Sequence, residues 1–279
     1  MSNSNSSEKV ILIPIDFQEQ SLIAISQSYN LARFTNSTIY LMNVVEKGVN
    51  KNEVQEKIKK LALETAQKSN VKVKTLVAEG NPFVEINKAV ERLNPEMVFI
   101  GLNSTINMKS ILGNNAFRLV RECTAPVITI KGKKHRDGCK TILLPLDLTK
   151  ETREKVGKAI EFAKYFGAKI QVLAVLDKGA ETFENKLLSY SNQVKKYIRE
   201  KGVACGNKTV RGKNIAEMVV SYAKEVDADL IMIMSKAELN LKEFFIGTTA
   251  QQIINTSHVP VLSIRPMKRK DTTSAAMPF

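Results

Sequence analysis

Lys9-Val-Ile-Leu-Ile-Pro-Ile-Asp16 returns later in the same chain as Lys140-Thr-Ile-Leu-Leu-Pro-Leu-Asp147, almost position for position. Outward from these stretches the correspondence continues in order. Ile39-Tyr-Leu-Met-Asn-Val44 meets Ile170-Gln-Val-Leu-Ala-Val175, Gly80 meets Gly212, and Met97–Ile100 meets Leu230–Ile233. Gly113 and Pro126 then share their separation with Gly247 and Pro260. The spacing between partners widens by only three residues across the half. Ordered matches of this kind mark a duplication, and a duplication fixes the architecture before any element is assigned.

Each copy alternates short apolar runs with helical periodicity. In the first, Lys9–Ile15, Thr38–Val44, Val71–Val77, Glu96–Ile100 and Pro126–Ile130 read as five buried strands. Between them Leu22, Ile25, Tyr29 and Ala32 recur at helical spacing, as do Val54, Ile58, Leu61 and Thr65. Asn81-Pro82 supplies an N-cap and a first-turn proline for a helix bearing Phe83, Ile86, Ala89 and Leu93. A further helix follows Gly113. In the second copy Val156, Ile160 and Ala163 face the core, Gly167 stops the helix, and Asn214 with Glu217 forms a capping box. Continuous Val/Ile/Leu strands joined by helices predict parallel sheets covered on both faces. The expected domains are 9–131 and 139–266, joined by a short basic linker, with residues 1–8 and 267–279 as disordered tails.

Composition narrows the function classes. The chain has 279 residues, 43% hydrophobic and 25% charged, which suits two globular domains. No apolar run reaches the roughly 20 residues of a membrane span. Three cysteines without CxxC spacing point to a reducing compartment and inert thiols, and Cys205-Gly206 reads as a turn beside a strand. Two histidines leave little material for a zinc site or a Ser-His-Asp triad, so no metal is expected. The +14 formal charge allows attraction to nucleic acid or anionic lipid. Lys57, Lys59, Lys60, Lys195 and Lys196, however, fall on solvated helix faces, so nucleic acid is not the expected partner.

Ligands of a doubly wound sheet bind beyond the carboxyl ends of the strands, where the strand order reverses. That rule selects Asp16 and 101–114 in the first copy, and Asp147 and 234–248 in the second. A strand-end Asp can accept from an exocyclic amine or cap the helix that follows. Gly113 and Gly247 can open a helix N-terminus to phosphate, or serve the helix entry alone. Walker-type phosphate loops, GxGxxG, HExxH and GxSxG are missing from the sequence, and no nucleophile–base pair is evident.

From the Pro-x-Asp strand end to the closing Pro-Val-x-x-Ile (Pro126–Ile130, Pro260–Ile264), each half resembles a universal stress protein domain. The resemblance spans about Lys9 to Arg265 and implies an adenine-nucleotide-hydrolase-like fold. Two five-stranded sheets of order 3-2-1-4-5 would pack as an intrachain pseudo-dimer through Val127–Ile130 and Val261–Ile264, which hides strand edges. Carried over, the family's adenine-facing Asp falls on Asp16 and Asp147, and its second-strand Val on Val44 and Val175. The ATP-binding pattern Gly-x2-Gly-x9-Gly-Ser/Thr is eroded in both copies. In the first, Gly101 stands, Ser104 replaces the second glycine, the loop to Gly113 is one residue short, and Asn114 replaces Ser/Thr. In the second, Met234 and Ala237 replace two glycines while Gly247-Thr248 survives, with Thr249 beside it. A Cβ at such a site costs on the order of 1 kcal/mol or blocks close approach.

The resemblance therefore implies a cytoplasmic, non-enzymatic stress-response module, with no catalytic residue and no obligatory cofactor. An ATP-binding switch, holding ATP or another adenine nucleotide in the second domain, is the alternative. A charge-driven nucleic-acid or membrane-surface binder is a third. Expected partners are the intrachain domain pair, a homodimer, or a protein or small molecule that the sequence does not name.

Overall fold

The structure is a computed structural model and describes residues 8–102, 113–133, 136–146, 152–176, 181–235 and 248–265. It divides into two units, Met1–Lys133 and Lys134–Phe279. Unit 1 runs β1 (Val10–Pro14), α1 (Glu19–Thr35), β2 (Thr38–Val45), α2 (Lys51–Ser69), β3 (Val73–Glu79), α3 (Pro82–Leu93), β4 (Met97–Gly101), α4 (Gly113–Glu122) and β5 (Val127–Ile130). Unit 2 repeats the order as β6 (Thr141–Leu146), α5 (Thr152–Phe166), β7 (Lys169–Leu176), α6 (Glu181–Glu200), β8 (Cys205–Arg211), α7 (Ile215–Glu225), β9 (Leu230–Met234), α8 (Thr248–Thr256) and β10 (Val261–Ile264).

In unit 1 the strands lie in the order β3-β2-β1-β4-β5, all parallel. Unit 2 gives the same pattern, β8-β7-β6-β9-β10. The order 3-2-1-4-5 that the resemblance implies is thus present in each unit. Central strands are buried end to end, as in β1, β4 and β9. Strand β3 is half-exposed along most of its length, as an outer strand of such a sheet is.

Helix ends follow local chemistry. Asn81 Oδ1 accepts from Val84 N at 3.3 Å, with Pro82 in the first turn. Asn214 Oδ1 accepts from Glu217 N at 3.2 Å. Gly167, at φ +64°, stops α5, and Asn36, at φ 53°, stops α1 at the matching place. These paired stops show that α1 and α5 are aligned with each other residue by residue.

Four expectations shift. Strand β3 begins at Val73, because Asn70 takes a left-handed conformation to close α2 and the chain needs further residues to reach the sheet. Leu22 is exposed: the buried face of α1 runs through Ser21, Ala24, Ile25, Ser28, Leu31 and Ala32. Small residues there let the helix lie close to the sheet. Cys205-Gly206 is no turn but the start of β8, paired with Ile170 and Gln171; the turn lies earlier, at Gly202 with φ +79°. Glu8, expected in a tail, accepts from Thr38 Oγ1 at 2.8 Å and Lys74 Nζ at 2.7 Å. The remaining tail residues, 1–7 and 267–279, lie outside the described residues.

Candidate functional site

The carboxyl end of β1 is built by its own turn. Asp16 Oδ1 accepts from Gln18 N at 3.0 Å, and Ser21 Oγ donates to Gln18 O at 2.9 Å. Asp16 therefore shapes the strand-to-helix turn, whereas the N-cap position belongs to Gln18, whose side chain makes no cap bond. Between them Phe17 adopts φ +60°, a conformation rare for a bulky residue. The Lys57 ammonium sits 4.2 Å from its ring centroid. Behind the turn the buried Asn43 donates through Nδ2 to Ile15 O at 2.8 Å. That bond satisfies a carbonyl at the end of the ladder.

Gly101 ends β4, paired with Ile130. A Cβ built there would stand 2.3 Å from the carbonyl carbon and oxygen of Gln20 and 2.6 Å from Ser21 N. The missing side chain is thus accounted for by the approach of the α1 backbone. The same contact buries Gln20 to 4% exposure, and its Oε1 has no hydrogen-bond partner. At the equivalent place in unit 2, Met234 ends β9, pairs with Ile264 and is itself buried.

Val44 is buried in β2 opposite Ala78, while Val175 is half-buried in β7 opposite Val210. Both lie toward the carboxyl ends of their strands. Gly113 opens α4 and Thr248 opens α8, so each closing motif leads straight into a helix N-terminus. Thr249, half-buried, occupies the first turn of α8. Asp147, Ser104, Ala237 and Gly247 lie outside the described residues, as do the side chains of Asn114 and Thr248.

The end of β6 contains a residue that periodicity did not single out. Lys155, on α5, is only 3% exposed, and its Nζ donates to Pro145 O at 2.5 Å. Lysine in an amphipathic helix ordinarily reads as solvated. The signal that could have found it is the repeat itself, which aligns Lys155 with the fully buried Ala24.

Among the described residues no group of three or more His, Cys, Asp or Glu side chains could hold a metal ion. All three thiols are buried and free of disulfides. Burial pushes the Cys139 thiol up to about 12 and Cys205 up to about 11, so both are protonated at neutral pH and poor nucleophiles. No helix among the described residues is long and apolar enough to cross a membrane.

Comparison with known proteins agrees with the repeat. The model of the universal stress protein family matches twice, over residues 8–131 and 138–265. A universal stress protein of Methanocaldococcus jannaschii is 28% identical over 145 residues, covering 47% of this chain and 85% of that protein. The crystal structure of a universal stress protein from Archaeoglobus fulgidus superposes with a TM-score of 0.75 at 20% identity, covering 92% of this chain and 98% of the other. A structure described as a putative universal stress protein from Pseudomonas aeruginosa gives a TM-score of 0.72 at 20% identity, covering 93% and 94%. At that identity the two structures speak for the fold.

Proposed function

The chain belongs to the universal stress protein family, and on that premise we propose that it is a cytoplasmic, non-enzymatic binding and regulatory module with eroded nucleotide sites. The observation that carries this reading is Gly101. Its lack of a Cβ is required by the α1 backbone at 2.3 Å, so its presence does not argue for a phosphate. Met234 supports the same reading from the other domain, because a buried thioether stands where the family pattern has glycine. Protonated, buried thiols add no nucleophile.

A second reading, nucleotide binding without turnover, is favoured by the start of α8 at Thr248. There a helix N-terminus follows the surviving Gly247-Thr248 pair, and its free N–H groups suit a phosphate. Titration calorimetry with ATP on the full chain tests both. The expected result is weak binding, with Kd on the order of 1 mM, abolished by Gly247→Val and unchanged by Gly113→Val. Loss only in Gly113→Val moves the site to the first domain. Affinity in the low micromolar range contradicts the eroded-site reading.

A further inference from the structure

At the amino ends of β6 and β7, away from the candidate nucleotide site, the second unit has an open depression of about 1110 Å³. Four cations line it: Arg136, Lys140, Lys164 and Lys169. Phe166, Val203 and Val226 add apolar lining. Two acids stand among the cations, and Arg136 engages both. Its guanidinium donates to Asp229 Oδ1 at 2.7 Å and to Asp227 Oδ2 at 2.5 Å. Asp229 Oδ2 accepts from the backbone N–H groups of Lys140 and Thr141 at 2.7 and 2.9 Å. Lys140 and Lys169 attract Asp227 through space, yet among the described residues neither they nor Lys164 closes an ion pair. The carbonyl ends of α5, α6 and α7 border the depression, and lysines suit that end of a helix. Carbonyls there are already held by the N–H groups of Ala168, Gly202, Val203 and Ala228, so the ammonium groups keep donors to spare.

The first domain treats the same place differently. Glu8 stands there, 2.7 Å from Lys74 and 3.5 Å from Lys72. By the repeat its counterpart is the buried, protonated Cys139, while Ala204 replaces Lys72 and Lys169 replaces Thr38. At this place the second domain has exchanged a carboxylate for a thiol and a hydroxyl for an ammonium. We propose that the depression docks an acidic peptide segment of a partner protein. Carboxylates spaced along a peptide can meet separate ammonium groups while an apolar side chain covers Phe166 and Val203. A volume at the upper end of the small-ligand range of roughly 300–1,000 Å³ suits a chain segment. The chain's own ends do not fit. Residues 1–7 carry no acidic side chain, and Lys268-Arg269-Lys270 is basic. A second copy, at a formal charge of +14, is repelled as well.

Fluorescence anisotropy on the full chain, with a short labelled peptide in which glutamates flank a central leucine, tests this. The expected Kd is on the order of 0.1 mM. Lys140→Gln combined with Lys169→Gln should weaken binding at least about fivefold, and the paired arginine variants should retain it. Ala204→Glu, at an exposed position, should weaken it as well. Lys60→Gln combined with Lys68→Gln removes the same charge from exposed positions on α2 and should change affinity less than about twofold. Gly247→Val should leave it unchanged, which separates this surface from the nucleotide site. Equal losses in the two glutamine pairs would assign the binding to overall charge and overturn the proposal. So would absence of binding, or binding that the Lys140 and Lys169 variants do not move. A single-stranded oligonucleotide of equal charge is the competing arm. If it displaces the peptide at lower concentration than unlabelled peptide does, the surface favours nucleic acid and the assignment fails.

Discussion

The two domains share strand order, helix stops, caps and the valine near the end of the second strand, yet they differ at the ends of the first and fourth strands. At the end of the fourth strand of each unit, Gly101 lets the α1 backbone come within contact, whereas Met234 fills the equivalent place with a buried side chain. At the end of the first strand, Asn43 holds one domain and Lys155 the other. After duplication the sheet was preserved and the sites diverged. The lesson is that a motif glycine has to be read against its neighbours. Its absence of a side chain serves whichever group comes closest, and here that group is a helix backbone.

The largest expected effect separates two glycines of similar crowding. A Cβ at Gly101 would meet backbone at 2.3 Å, while one at Gly212 would meet the Met218 sulfur at the same distance. Backbone cannot move aside, but a methionine rotates. Gly101→Ala should therefore cost about 3 kcal/mol in urea unfolding, and Gly212→Ala less than about 1 kcal/mol. Equal costs would show that Gly101 is not the packing contact described.

A smaller difference lies at the amino ends of the sheets. The Lys74 and Thr38 hydrogen bonds hold the exposed Glu8 carboxyl down at about 2, against an ordinary 4.5, and its counterpart by the repeat is the buried Cys139. A depressed carboxylate contributes stability above its unfolded pKa and loses it as pH falls. The Glu8 contribution should thus be full above about 4.5 and disappear toward about 2. In acid titrations of stability, Glu8→Gln should differ slightly from the parent at neutral pH and merge with it at the acid end. High salt should shrink the gap, since the ions are exposed. A gap that persists below the acid limb would assign the effect to packing.

How far the sequence carries can be read from particular residues. The succession of strands and helices was legible because the apolar runs repeat, their lateral order came from the family resemblance, and Asn81, Gly167 and Asn214 were legible because caps and stops depend on local chemistry. Leu22 and the start of β3 were not, since they depend on how closely α1 lies on the sheet and how the chain leaves α2. The helix backbone beside Gly101 was not legible, because spacing alone does not reveal which group comes close. Lys155 was hidden by its residue type: only its alignment with Ala24 marks it as a buried cation rather than a solvated one.

The central claim is that neither domain retains the machinery to position a γ-phosphate for transfer. Steady-state ATP hydrolysis by the full chain, with magnesium present, tests it most directly. The account predicts no turnover above the uncatalysed background. Turnover of about 1 per second or faster, within the ordinary enzyme range, would contradict it.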